Sequence, residues 1–240
     1  MRKIYYTLTA LTLSLTSCND LLDRMPDNRL VIDSPEKVQQ ALTNAYPQIA
    51  TTLINEFSSD NIDDIGADNI YSNFLTRETA YWQPILEYNN VDGLQNIWDY
   101  HYKAIGQANA ALDAIETTLH NDASLNPAKG EALVARAYAH FCLVNLFSQA
   151  YNPNTSSSDL GIPYITRPEE EMNPQRQRGT VAQVYQQIAA DLEKGLPLID
   201  DSYYQMPKYH FNKKAAYAFA ARFYLYYQQW QKALDAANVV

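Results

Sequence analysis

Leu94, Ile97, Trp98, Ile105, Ala108, Leu112, Ile115 and Leu119 fall at helical spacing. After Asn126-Pro127, Leu133, Ala137, Tyr138, Phe141, Val144 and Phe147 do so again. Apolar side chains three and four residues apart share one face of a helix. Two such stripes in succession must be buried against each other or against further helices. The composition agrees: 47% of residues are apolar, 19% are charged and only 7 are Gly, which excludes wholesale disorder.

Local signals add more helices. Ser34-Pro35-Glu36 reads as an N-cap, a proline in the first turn and an acid that favours the helix dipole. Val38, Ala41, Leu42, Ala45, Tyr46 and Ile49 follow as its stripe. Asn126-Pro127 is expected to act as cap and first residue of the second long helix. Thr180 and Gln183 form a capping box ahead of Val184, Tyr185, Ile188, Leu192, Leu196 and Ile199, and Pro197 should kink or end that helix. Asn212 caps a run through Ala216, Phe219, Phe223, Tyr226 and Tyr227. Gln228-Gln229-Trp230 reads as a tight turn into a last helix over 231–240. Between residues 153 and 174 lies a long connection, in which Ile162-Pro163-Tyr164-Ile165 is short and extended.

Ala135-Arg136-Ala137-Tyr138 matches Ala221-Arg222-Phe223-Tyr224 at an offset of 86, and Tyr102 with Ile105 matches Tyr185 with Ile188 at 83. Trp230, Ala233 and Ala236 have tetratricopeptide-like spacing. The reading is a mostly α protein, a tetratricopeptide-like array of helical hairpins with long irregular loops, over residues 34–240. Chance matching among Ala- and Tyr-rich helices is the alternative for the echo alone.

The N-terminus is an address. Arg2 and Lys3 precede an uncharged stretch of 13 residues, Ile4 to Thr16. A membrane-spanning helix needs about 20 apolar residues, so the stretch suits a signal-peptide core. It ends in Leu15-Thr16-Ser17-Cys18, which resembles the bacterial lipobox. Residues 1–17 are therefore expected to be a lipoprotein signal peptide, Cys18 the lipidated first residue of the mature chain, and residues 18–33 a tether. An ordinary signal peptide beside a chance cysteine is the alternative. The second thiol, Cys142, sits in an apolar helix pattern and reads as buried and inert.

Catalytic signatures are absent: there is no H-E-x-x-H, C-x-x-C, G-x-S-x-G, Walker loop or G-x-G-x-x-G. His101, His120, His140 and His210 have no metal-pair spacing. Asp60 to Gly66 fails the EF-hand pattern, because apolar residues stand where oxygen ligands are needed. The chain is therefore read as a non-enzyme without cofactor or metal, and Asp60 to Gly66 as a solvated acidic loop. A formal charge of −9 argues against nucleic acid as a partner.

Residues 55–90 carry no sustained stripe, yet hold Tyr71, Phe74, Tyr81, Trp82 and Tyr88. Sugar rings present apolar C–H faces to aromatic rings and polar rims to Asn, Asp and Arg. Asn69, Tyr71, Arg77, Tyr81, Trp82 and Tyr88 are the candidate glycan-binding residues. The alternative is that these aromatics pack the segment onto the helices.

Taken in order, several stretches resemble the SusD/RagB family of outer-membrane lipoproteins. They are the lipobox with Asn19-Asp20-Leu21-Leu22-Asp23 and Pro26; Trp98, Tyr102, Ile105, Ala108, Asn109 and Leu112; Glu131-Ala132 through Phe147; Gly161-Ile162-Pro163-Tyr164; Thr180 to Leu192; and Lys214 to Tyr226. The resemblance implies a tetratricopeptide-like scaffold and a lipid-anchored protein of the outer membrane at the cell surface. It implies capture of glycans, or peptides for some members, without catalysis. It also implies delivery to a SusC-like TonB-dependent transporter. No family motif carries a sugar-binding residue onto this chain. Members are about twice as long, so the chain is expected to be an N-terminal portion. A helical repeat scaffold for peptide or protein interaction, without sugar binding, is the alternative function.

Overall fold

The computed structural model describes residues 31–66, 73–86, 90–169 and 176–240. Residues Ile32–Val240 form one unit. The described residues hold eight α-helices and no strand. They are α1 (Pro35–Thr43), α2 (Thr52–Phe57), α3 (Phe74–Ala80), α4 (Leu94–Thr117), α5 (Asn126–Phe147), α6 (Val181–Gly195), α7 (Lys213–Tyr226) and α8 (Trp230–Ala237). The fold is mostly α, an array of helical hairpins with long irregular segments. Cys18 and most of the expected tether lie outside the described residues.

The local start signals work as read. Ser34 accepts from the Lys37 N–H at 3.4 Å, Thr180 and Gln183 close a reciprocal capping box, and Asn212 accepts from the Ala215 N–H at 2.9 Å. α6 ends at Gly195, and Pro197 lies in the 3₁₀ turn that follows. Three expectations change. α1 stops at Thr43 ahead of Pro47, although Ala45 and Ile49 remain buried. Asn126 is not a cap. It has helical dihedrals, and α5 is fed by a 3₁₀ turn at Ala123–Leu125, where Asp122 accepts from the Ser124 N–H. The segment 55–90 is not loop throughout, since it contains the second half of α2 and all of α3. These helices bury only Ile54 in one case and Leu75, Thr76 and Thr79 in the other, too few to make a legible stripe.

α4 and α5 run antiparallel, as the pairs Trp98–Phe147, Tyr102–His140 and Asn109–Arg136 show. α5 and α6 do the same through Arg136–Asp191 and Asn145–Tyr185. Near one end of the α5–α6 pair the backbones almost touch. A methyl on Gly130 would stand 2.8 Å from the Gly195 carbonyl oxygen, and one on Gly195 would stand 2.9 Å from that of Gly130. Phe219 and Phe223 of α7 pack on Phe141 of α5, and α8 folds back on α7. The sequence echo does not carry over to interactions. Arg136 is buried in an ion pair, whereas the Arg222 guanidinium lies over the Phe141 and Tyr226 rings.

The extended segment 161–167 makes no strand, and its flank adds only an isolated antiparallel bridge between Leu160 and Thr180. Ile162 and Ile165 are nevertheless buried. Buried irregular backbone needs partners for its polar groups, and helix side chains supply them. The Tyr102 hydroxyl donates to the Pro163 carbonyl at 2.8 Å, and Asn109 Nδ2 to that of Ile165 at 3.0 Å. Arg136 Nη1 reaches the Thr166 carbonyl at 3.2 Å, and the Ile165 N–H donates to His140 Nε2 at 3.1 Å. Arg136 also holds Asp191 through two 2.7 Å bonds, and the Tyr164 hydroxyl donates to the same carboxylate at 2.6 Å.

His140 is fully buried and stacked on Tyr164, with centroids 3.8 Å apart. Its Nε2 accepts, so Nδ1 carries the proton toward the Arg136 carbonyl at 2.9 Å and the ring is neutral. Burial pushes its pKa down to about 3, from 6.5 in the unfolded chain. Above pH 6.5 neither state takes the proton. As pH falls from there toward 3, the unfolded chain does and the folded chain does not. Stability is therefore expected to fall by about 1.4 kcal/mol per pH unit across that window from this residue alone. Urea titrations of the full chain at several pH values check this, and His140→Gln should flatten the slope. Arg136→Met strands a buried carboxylate and should cost about 3–5 kcal/mol, while Arg136→Met with Asp191→Leu should cost less than the single change. The same titrations measure both.

Candidate functional site

A small apolar cluster separate from the main core fixes the candidate region. Ile54 of α2, Leu75 of α3 and Ile97 of α4 meet there with Ile49, and Leu146 and Phe147 of α5 pack against them. α3 is started by a capping box in which Asn73 Oδ1 accepts from the Thr76 N–H at 2.9 Å, and Thr76 Oγ1 accepts from that of Asn73 at 3.2 Å. Leu75 and Thr79 face inward. Phe74 faces outward with the Arg77 guanidinium 5.1 Å above its ring.

Between α3 and the segment after α2 lies an open cleft of about 590 Å³, lined by Ile62, Asp63, Asp64, Thr76, Arg77 and Tyr81 among others. The Tyr81 hydroxyl donates to Asp64 Oδ2 at 2.5 Å, and Asp64 Oδ1 accepts from the Gly66 N–H at 2.7 Å. That hydroxyl holds the Asp64 carboxyl below its usual range, and the carboxylate raises the Tyr81 phenol. The cleft thus offers carboxylates as acceptors, a guanidinium as donor and the half-exposed faces of aromatic rings.

Trp82 follows immediately. Gln83 N–H donates to the Glu78 carbonyl at 2.8 Å and Trp82 N–H to that of Thr79 at 3.1 Å, which closes α3 in a Schellman motif. The motif puts Trp82 at φ +53°, a position that favours Gly, and leaves it 79% exposed. An L-residue there costs about 1–2 kcal/mol, and the indole recovers little of that by burial. Glu78 Oε2 accepts from the Leu86 N–H at 2.8 Å and holds the chain beyond.

Among the candidate residues, Arg77 and Tyr81 share the cleft. Trp82 stands next to Tyr81 in the chain but does not line the cleft. Asn69, Tyr71 and Tyr88 lie outside the described residues. The sequence reading missed Asp64, placed in a solvated acidic loop although it is the partner of Tyr81. The turn signal Asp64-Ile65-Gly66 was available, but nothing in it announced a residue 17 positions away. Among the described residues no three His, Cys, Asp or Glu side chains converge where a metal could sit. No described helix is long and apolar enough to cross a membrane. The Cys142 thiol is pushed up to about 11 by burial, which fits an inert residue.

Residues 20–225 match the model of a SusD-like family described as starch-binding and associating with the outer membrane. SusD-like protein P2 of Formosa agariphila is 25% identical over 259 residues, covering 100% of this chain and 46% of that protein. The crystal structure of a SusD superfamily protein from Bacteroides thetaiotaomicron superposes with a TM-score of 0.66 at 26% identity, covering 85% of this chain and 45% of that one. A laminarin-binding SusD-like protein has the same fold, with a TM-score of 0.62 at 19% identity over 85% of this chain and 42% of that one. The chain spans about half the length of these relatives. With a match over most of its length and this architecture, the chain belongs to the SusD-like family.

Proposed function

We propose that this protein is a lipid-anchored, non-catalytic glycan-binding component of the outer membrane. It captures oligosaccharides at the cell surface and hands them to a SusC-like TonB-dependent transporter. The observation that carries the reading is Trp82, a strained and exposed indole that the fold does not need, beside a cleft of Asp64, Arg77 and Tyr81. Strain at an exposed aromatic is expected where a ligand uses it. The indole face takes a sugar C–H face, and the cleft groups bond hydroxyls. The family's description as starch-binding and outer-membrane-associated supports the class of ligand, and the laminarin-binding relative supports a neutral glucan. Asn69, Tyr71 and Tyr88 are proposed as further glycan contacts. Lipidation at Cys18 supplies the anchor.

Trp82→Gly separates binding from folding. Glycine suits the backbone at this position, so chemical denaturation should show stability unchanged or raised by up to about 1 kcal/mol. Calorimetric affinity for starch-type glucans or laminarin should drop at least about tenfold, the loss of one good stacking contact. Unchanged affinity would overturn the assignment of Trp82. Cys18→Ser should move the protein out of the membrane fraction on cell lysis, and retention there would remove the anchor.

A further inference from the structure

A second cleft, of about 540 Å³, lies where α5 ends. It is shallower and more open to solvent than the first cleft. Arg178 crosses it and is pinned by main-chain carbonyls, with Nε on Gly161 at 2.5 Å and Nη2 on Leu160 at 3.2 Å and Phe147 at 3.3 Å. Phe147 ends α5, so its carbonyl is one that the helix leaves unpaired, and Arg178 serves as a cap. Arg178 Nη1 makes no hydrogen bond among the described residues. The Ser148 hydroxyl is buried and has no partner among the described residues, an unsatisfied group that costs stability unless something fills it. The Asp159 carbonyl accepts from the Val181 N–H, but its carboxylate makes no hydrogen bond among the described residues. Leu160 stands 60% exposed on the rim.

The unused groups define the ligand. Arg178 Nη1 offers donors, Asp159 offers acceptors, and the Ser148 hydroxyl and Gln149 amide offer both. An anion would be drawn to Arg178 but repelled by Asp159 and by the negative end of the α5 dipole. A cation would meet the opposite conflict. A neutral molecule with neighbouring hydroxyls, each able to give and accept, satisfies the whole set, and its C–H face can rest on Leu160.

We infer that this second cleft is a separate saccharide site, taking a neutral pyranose unit. The inference rests on the glycan-binding reading, and adds a site that shares no lining residue with the first cleft. Leu146 and Phe147, which line it, also pack against the cluster that seats α3. Both sites are therefore set by the same end of the helical body.

The test is isothermal titration of the full chain with maltotriose and laminaritriose, short enough to count sites. Asp159→Ala is the probing variant, because its side chain holds no other described group and its carbonyl bond to Val181 survives. The wild-type chain should bind two equivalents of at least one probe. Asp159→Ala should bind one, with an unchanged melting temperature, and Trp82→Gly should bind one. The double variant should bind none. One equivalent in the wild type, lost in Trp82→Gly and kept in Asp159→Ala, overturns the second site and leaves the first. Binding lost in Asp159→Ala but indifferent to Trp82→Gly supports the second site and overturns the first. No binding of either probe by the wild type overturns both.

Discussion

Arg136 is the residue on which the rest of the arrangement depends. A guanidinium buried among helices is costly unless its donors are used. Here one edge grips Asp191 of α6 in a bidentate pair, and Nη1 meets Asn109 of α4 and the Thr166 carbonyl. One side chain from α5 therefore ties both neighbouring helices and an irregular segment between them. Asn109 completes the arrangement: its side-chain oxygen accepts a hydrogen bond from Arg136 Nη1, and its amide N–H donates to the Ile165 and Arg167 carbonyls. An irregular stretch of chain can enter the interior because side chains do for it what a neighbouring strand would do in a sheet.

The division between legible and illegible features follows sequence distance. Ser34, Thr180 with Gln183, and Asn212 could be read as caps because donor and acceptor lie within three residues. The long stripes of α4 and α5 could be read because they repeat. The helix side chains that hold segment 161–167 sit 25 to 61 residues away, and no local pattern reports them. α2 and α3 escaped notice because their stability comes from a few residues in a satellite cluster. In the candidate site, exposed aromatics were visible as residue types. The conformation of Trp82 and the Tyr81–Asp64 bond were not, since one depends on how α3 ends and the other on a fold-back over 17 residues.

The molecule separates two tasks. Helices α4 to α6, with the segment they hold, form a stiff body through charged and hydrogen-bonded contacts. The candidate binding surface is carried by short helices with a small apolar footing. Such an annex can change its exposed residues without disturbing the main core, the usual relation between a scaffold and its variable recognition surface.

The glycine pair between α5 and α6 has a role that reaches beyond its own contact. Gly130 and Gly195 let two backbones meet with no side chain between them, which sets the spacing of the helices. Arg136 and Asp191 lie one to two turns along from that contact and meet in a bidentate geometry that tolerates little change in separation. The glycines therefore act as a gauge for an ion pair they never touch. A single added methyl would be felt less as a local clash than as a loosening of the segment that Arg136 secures.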